Sequence, residues 1–106
     1  LVRSPIGIQV ISNEVPQRFG LYNNYPNPFN PVTKIRFDIP NISGNRNVSL
    51  TVYDILGNEV AVLVNEELKA GKYEASWEAS NFASGIYFYR IKAGEFVQTN
   101  RMILIK

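Results

Sequence analysis

The 106 residues contain no cysteine and no histidine. Without cysteine there is no disulfide framework, no thiolate metal site and no thiol nucleophile. That absence does not place the chain in the cytosol, because exported bacterial domains often do without cysteine. Without histidine, the commonest general base and the commonest transition-metal ligand are both missing. A Ser-His-Asp arrangement is excluded outright. Charge is sparse and nearly balanced: 11 Lys and Arg against 9 Asp and Glu leave +2. The basic residues stand singly, with no run or stripe, so nucleic acid is not an expected partner. Long apolar runs are missing too. The longest, Val60–Val64, is far below the roughly 20 residues that cross a bilayer, so no transmembrane segment is expected. No Asp-rich calcium loop and no Gly-rich phosphate loop occur. The carboxylates fall in turns or on outward strand positions, and no acid–base pair stands out. The expectation is a non-enzyme with no metal and no cofactor.

What is present is 45% apolar residues, enough for one small globular core. The most unusual stretch is Leu21–Pro31, which holds three of the six prolines and four asparagines. Proline fixes φ, has no N–H and pushes its predecessor toward extended geometry. The stretch is therefore a stiff brace, neither helix nor central strand, with Phe29 and Leu21 expected to plug the core. Leu1–Gly7 has no signal-peptide pattern and no initiator methionine. Residues 1–20 read as a linker from an upstream domain, including a first strand at Gly7–Ser12, and 21–106 as the domain.

Strict alternation marks the strands. In Val32–Ile39, Ile35, Phe37 and Ile39 share one face. In Val48–Asp54, Val48, Leu50 and Val52 do so, and Val60–Val64 returns as a hairpin partner after a turn at Gly57. Ile55 and Leu56 are expected to fold back onto the sandwich edge. Asn65–Ala70 has the chemistry of a single helical turn, with Asn65 as cap and two glutamates behind it. Lys72–Ala79 places Tyr73, Ala75 and Trp77 inward, and Phe82 in the loop beyond is a second plug. Gly85–Ala93 places Tyr87, Tyr89 and Ile91 inward, which leaves Ile86 and Phe88 on a face that has to be a contact surface or be covered. In Phe96–Ile105, Met102 and Leu104 point inward and Ile103 and Ile105 are less buried. Asn41–Asn47 is a turn around Gly44. The sum is all-β: an immunoglobulin-like antiparallel β-sandwich of about seven strands. Aromatics exposed on such a sandwich could stack on sugar rings, and Tyr22, Tyr25, Tyr53 and Phe88 are the candidates. A carbohydrate-binding or structural accessory module of a larger hydrolase is therefore one functional reading.

Four motifs in order point elsewhere. Pro26-Asn27-Pro28-Phe29-Asn30-Pro31 is followed by Val52-Tyr53-Asp54-Ile55-Leu56-Gly57, then by Ala70-Gly71-Lys72-Tyr73 with Trp77, then by Ser84-Gly85-Ile86-Tyr87, and Arg101–Lys106 closes the series. The order resembles the type A C-terminal sorting domain of cargo proteins of the type IX secretion system of Bacteroidetes. The immunoglobulin-like domain of flagellar hook-capping proteins is a near relative. The resemblance implies a folded address without catalysis. Its cargo would cross the periplasm and pass an outer-membrane translocon, with shuttle and sortase-like components as partners. It would end secreted or on the cell surface, after removal of the domain by a cut within Leu1–Gly20. By the same resemblance, recognition falls to Gly94, Arg101, Met102, Ile103, Leu104, Ile105 and Lys106, with Arg101 standing where the family usually has lysine. The structural motif residues are Pro26, Asn27, Pro28, Phe29, Gly57, Trp77, Gly85 and Tyr87. A weak homodimer through an edge strand is a further expectation.

Overall fold

The computed structural model describes residues 8–12, 14–41 and 47–106. Eight strands form two four-stranded antiparallel sheets: β1 (Ile8–Ser12), β2 (Gly20–Leu21), β3 (Val32–Ile39), β4 (Asn47–Tyr53), β5 (Glu59–Glu67), β6 (Gly71–Glu78), β7 (Gly85–Ala93) and β8 (Phe96–Leu104). The first sheet runs β1-β6-β3-β2 and the second β5-β4-β7-β8. Neither face could be left wet, because each strand carries one apolar side. Ile35, Phe37, Val48, Leu50, Val52, Tyr89 and Ile91 have essentially no exposure, and they fill the space between the sheets. This is the immunoglobulin-like sandwich that the alternation predicts. The eighth strand is the two-residue β2, too short to leave a periodic signal.

Trp77 anchors one end of the core. Its ring lies 5.7 Å from Phe29, 5.3 Å from Phe82 and 5.3 Å from Tyr87, centroid to centroid. Phe29 and Leu21 are buried, as expected of plugs. The brace does more than fill space, because it hydrogen-bonds to both sheets. Tyr25 exchanges two 2.9 Å backbone bonds with Lys34 of β3. Four residues later Phe29 pairs in parallel with the end of β8. Between them Asn24 is buried: its N–H donates to the Tyr89 hydroxyl at 2.9 Å and its amide nitrogen to Thr33 Oγ1 at 2.9 Å. The peptide bonds before Pro26, Pro28 and Pro31 are cis.

Two local expectations fail. Residues 65–67 continue β5 instead of starting a helical turn, because Asn47, Val48 and Ser49 pair with Glu67, Glu66 and Asn65. Six residues could not pay helix nucleation on their own, and the ladder wins. Ile55 and Leu56 do not fold back. They are 66% and 81% exposed at the β4–β5 tip, because Asp54 Oδ1 accepts from the N–H groups of Leu56 and Asn58, both at 2.9 Å, and holds the turn outward. Gly57 supplies the positive φ of 87° that this turn needs. The Gly44 turn and Leu1–Gly7 lie outside the described residues, apart from Asn41 and Asn47.

Candidate interaction surface on the last strand

Alternation divides Arg101–Lys106 in two. Met102 and Leu104 are buried at 0% and 1% exposure; no partner can touch them without unfolding the sandwich. Arg101, Ile103 and Ile105 point to the other side, away from the core. Lys106 is used internally. Its ammonium donates to the carbonyls of Ser80 at 2.5 Å and Phe82 at 3.0 Å, and its N–H donates to Ser84 Oγ at 2.9 Å. It clamps the end of the strand to the β6–β7 loop.

The outer edge of β8 is closed at one end only. The Phe29 N–H donates to the Ile103 carbonyl at 3.0 Å, and its carbonyl accepts from the Ile105 N–H at 3.0 Å. Asn27 Oδ1 accepts from the Ile103 N–H at 3.0 Å. Further up the strand, the main-chain groups of Val97, Thr99 and Arg101 face the same open side, beyond the reach of the brace. The β7–β8 ladder runs regularly from Gly85–Leu104 to Ala93–Phe96, whereas the β1 and β5 ladders both shift register. Bulges blunt sheet edges, and β8 has none, so it is the straighter edge of the second sheet, with Leu21 hydrogen-bonded to Gln98 and Phe19 stacked on Phe96 beside its upper part.

Next to this edge lies the outer face of the second sheet. Register puts Tyr53, Phe88 and Arg101 in one row, Thr51, Arg90 and Thr99 in the next, and Ile86 beside Ile103. The Arg90 guanidinium sits 5.0 Å from the centre of the Tyr53 ring and donates to Thr99 Oγ1 at 3.3 Å. Arg90, Lys92 and Arg101 give the β7–β8 part of this face a positive bias, next to an apolar strip of Ile86, Phe88, Ile103 and Ile105. Such a surface suits a partner with an apolar contact zone and an acidic rim.

The structure does not bring all the sequence-predicted residues together. Gly94 turns the β7–β8 hairpin with a φ of 62°, at the opposite end of β8 from Arg101–Lys106. The four aromatic candidates for sugar stacking are also split. Tyr53 and Phe88 lie on the second sheet, while Tyr22 and Tyr25 lie on the outer face of the first. The Tyr22 hydroxyl donates to Asp38 Oδ2 at 2.5 Å, which raises its pKa above the usual phenol value and keeps it protonated. No group of three or more metal-ligating side chains occurs among the described residues, and no helix there is long and apolar enough to cross a membrane. Sequence reasoning missed the closure of β8 by Asn27 and Phe29. These groups lie 76 positions apart in the Asn27–Ile103 contact, so no local pattern could have announced it.

Comparison with curated proteins finds no match. A family model described as a secretion system C-terminal sorting domain matches residues 23–106, which takes in the brace from Asn23 on and every strand from β3 to β8.

Proposed function

The chain belongs to the family of secretion-system C-terminal sorting domains, and from that premise we propose that the machinery reads it on the outward side of its last strand. It is a sorting signal of type IX secretion, from a non-catalytic family, and it directs export to the cell surface or the medium through that machinery. The observation that carries the proposed reading is the alternation of the closing segment. Met102 and Leu104 hold the strand in the core, while Arg101, Ile103 and Ile105 stand outside. On this reading an outer-membrane translocon component packs against Ile103, Ile86 and Phe88 and pairs its acidic groups with Arg101 and Arg90. The free edge at Val97–Arg101 offers main-chain pairing to an extended segment of the same partner. A weak homodimer would use this edge as well. Gly94 and Lys106 act indirectly, one by turning the hairpin and the other by clamping its end.

The rest of the route is part of the same proposal: transit through the periplasm, hand-over by shuttle components and removal by a sortase-like peptidase within Leu1–Gly20. The pairing of β1 with β6 refines the last point. A cut ahead of Ile8 leaves the eight strands whole. A cut in the Glu14–Phe19 connector takes β1 off the edge of its sheet.

The test is an export assay. The 106 residues are fused behind a signal peptide and a fluorescent protein in a bacterium with the type IX machinery, and in a translocon-null strain. Fluorescence at the surface or in the medium is expected only in the intact strain. Arg101→Glu combined with Ile103→Ser is expected to trap the folded fusion in the periplasm. Export of that variant at the parental level would refute the assigned surface. Trapping of the parental fusion in both strains would refute the reading as a sufficient address.

A further inference from the structure

The outer face of the first sheet carries a concave surface that the sorting role leaves unused, on the opposite side of the sandwich from Arg101, Ile103 and Ile105. A cleft of about 470 Å³ is lined by Tyr22, Asn23, Tyr25, Lys34, Arg36 and Glu74. A second, of about 230 Å³, shares Tyr22 and Arg36 with it and reaches Asp38 and Lys72. The two make one groove across β3 and β6.

Two rings border the groove, Tyr25 at 80% exposure and Tyr22 at 48%. Both are set on fixed backbone. The Tyr25 and Lys34 backbones exchange two hydrogen bonds, and the Tyr22 N–H donates to the Arg36 carbonyl at 3.0 Å. The floor is charged but already paired. The Glu74 side chain is only 11% exposed and takes both Arg36 at 3.0 Å and Lys34 at 3.8 Å. Asp38 takes Lys72 at 3.6 Å as well as the Tyr22 hydroxyl. Three cations against two carboxylates leave a surplus of one.

We propose that this groove binds a neutral pyranose oligosaccharide, with sugar faces on Tyr25 and Tyr22 and hydroxyls on the Arg36–Glu74 and Lys72–Asp38 pairs. The chemistry selects the ligand class. An anion would find Lys34 and Arg36 held by Glu74 and Lys72 by Asp38, with a surplus of one positive charge to meet it. An apolar peptide would desolvate two ion pairs and return nothing for it. A pyranose has C–H faces for the rings and hydroxyls that both donate and accept, matching guanidinium, ammonium and carboxylate at once. The proposal is independent of the sorting role, because the two surfaces lie on opposite sheets.

The test uses the whole 106-residue chain with soluble β-1,4-linked oligosaccharides of glucose, mannose and xylose. Binding is read by affinity electrophoresis and by NMR titration. Saturable binding to at least one is expected, with shifts centred on Tyr22, Tyr25, Arg36 and Glu74. Tyr25→Ala, at a position too exposed to matter for folding, is expected to weaken it at least about fivefold. Three results would overturn the proposal: no saturable binding to any of the three, binding that Tyr25→Ala leaves unchanged, or shifts centred instead on Tyr53 and Phe88.

Discussion

Replacing Phe29 by alanine tests the claim that the brace holds the last strand in place. The ring is 2% exposed and packs against Trp77. Removing a buried phenylalanine side chain costs about 3–5 kcal/mol through lost transfer energy and the cavity left behind. Domains of this size have about 5–15 kcal/mol in total, so the variant stays folded with a thin margin. The global loss lowers the protection of core amides roughly 150- to 5,000-fold, at about 1.36 kcal/mol per decade. The Ile103 and Ile105 amides are a separate class. Their partners are Asn27 Oδ1 and the Phe29 carbonyl, and both depend on the ring being seated. Met102 and Leu104 point their amides toward β7 instead. In Phe29→Ala, Ile103 and Ile105 are therefore expected to exchange far faster than Met102 and Leu104. Ile91→Ala is the control. It removes a fully buried side chain from β7 at a comparable cost of about 2–5 kcal/mol, without touching the brace. Denaturant unfolding gives the global term and hydrogen exchange the local one. A global loss under about 1.5 kcal/mol, or equal acceleration of all four amides, would refute the reasoning.

Three further outcomes follow from the same contacts. Tyr89→Phe removes the hydroxyl that accepts from Asn24 N–H and donates to the Tyr22 carbonyl at 2.8 Å, leaving buried polar groups unpaired at about 1–3 kcal/mol, measured by urea unfolding. Burial raises the Tyr89 pKa; this contribution is complete below the ordinary tyrosine value near 10 and is lost as pH rises through the higher folded-state value, so alkaline unfolding of the parent is expected to flatten in Tyr89→Phe. Hydrogen bonds from Asn58 and from the Leu56 and Gly57 backbone lower the Asp54 pKa; the turn is expected to be fully formed above the ordinary aspartate value near 3.9 and to loosen only as pH falls through the lower folded-state value. The Leu56 and Asn58 amide shifts report this in an NMR titration, and an apparent pKa at or above the ordinary one would count against the turn geometry.

How much of this was legible in the chain depends on the range of the contact. β3, β4 and β6 follow from period-2 alternation, because one buried face is enough to specify a strand and its side. The inward turn of Met102 and Leu104 agrees with the expectation, but Met102–Ile105 is apolar at every position, and pairing with β7 fixes the side. Ile55 and Leu56 mislead because hydrophobicity suggests burial, while the bonds to Asp54 decide where a tight turn points. Glu66 and Glu67 mislead because local propensity favours a helix start, while a ladder to Val48 and Asn47 decides otherwise. The division of the tyrosines between two sheets needs the topology. So does the internal role of Lys106, whose partners lie 24 and 26 residues back.

The closure of β8 by Phe29 joins the two ends of the matched segment, and this has a consequence for recognition. The outward face is assembled from β4, β7 and β8, and the tail of β8 is held flat by the brace on one side and by β7 on the other. A partner that packs on Ile103 and Arg101 therefore meets an ordered surface only when the start of the domain has docked on its finish. A nascent or partly folded chain shows Arg101–Lys106 as a loose tail, and ordering it costs about 1–2 kcal/mol per residue of backbone. Phe29→Ala should then lower export although every residue assigned to the partner is intact, while Ile91→Ala, matched for global stability, should lower it less. Surface fluorescence of the two fusions, normalised to the folded periplasmic pool, separates the cases. Equal export of both variants would mean that the machinery accepts a frayed last strand, and that the brace serves stability alone.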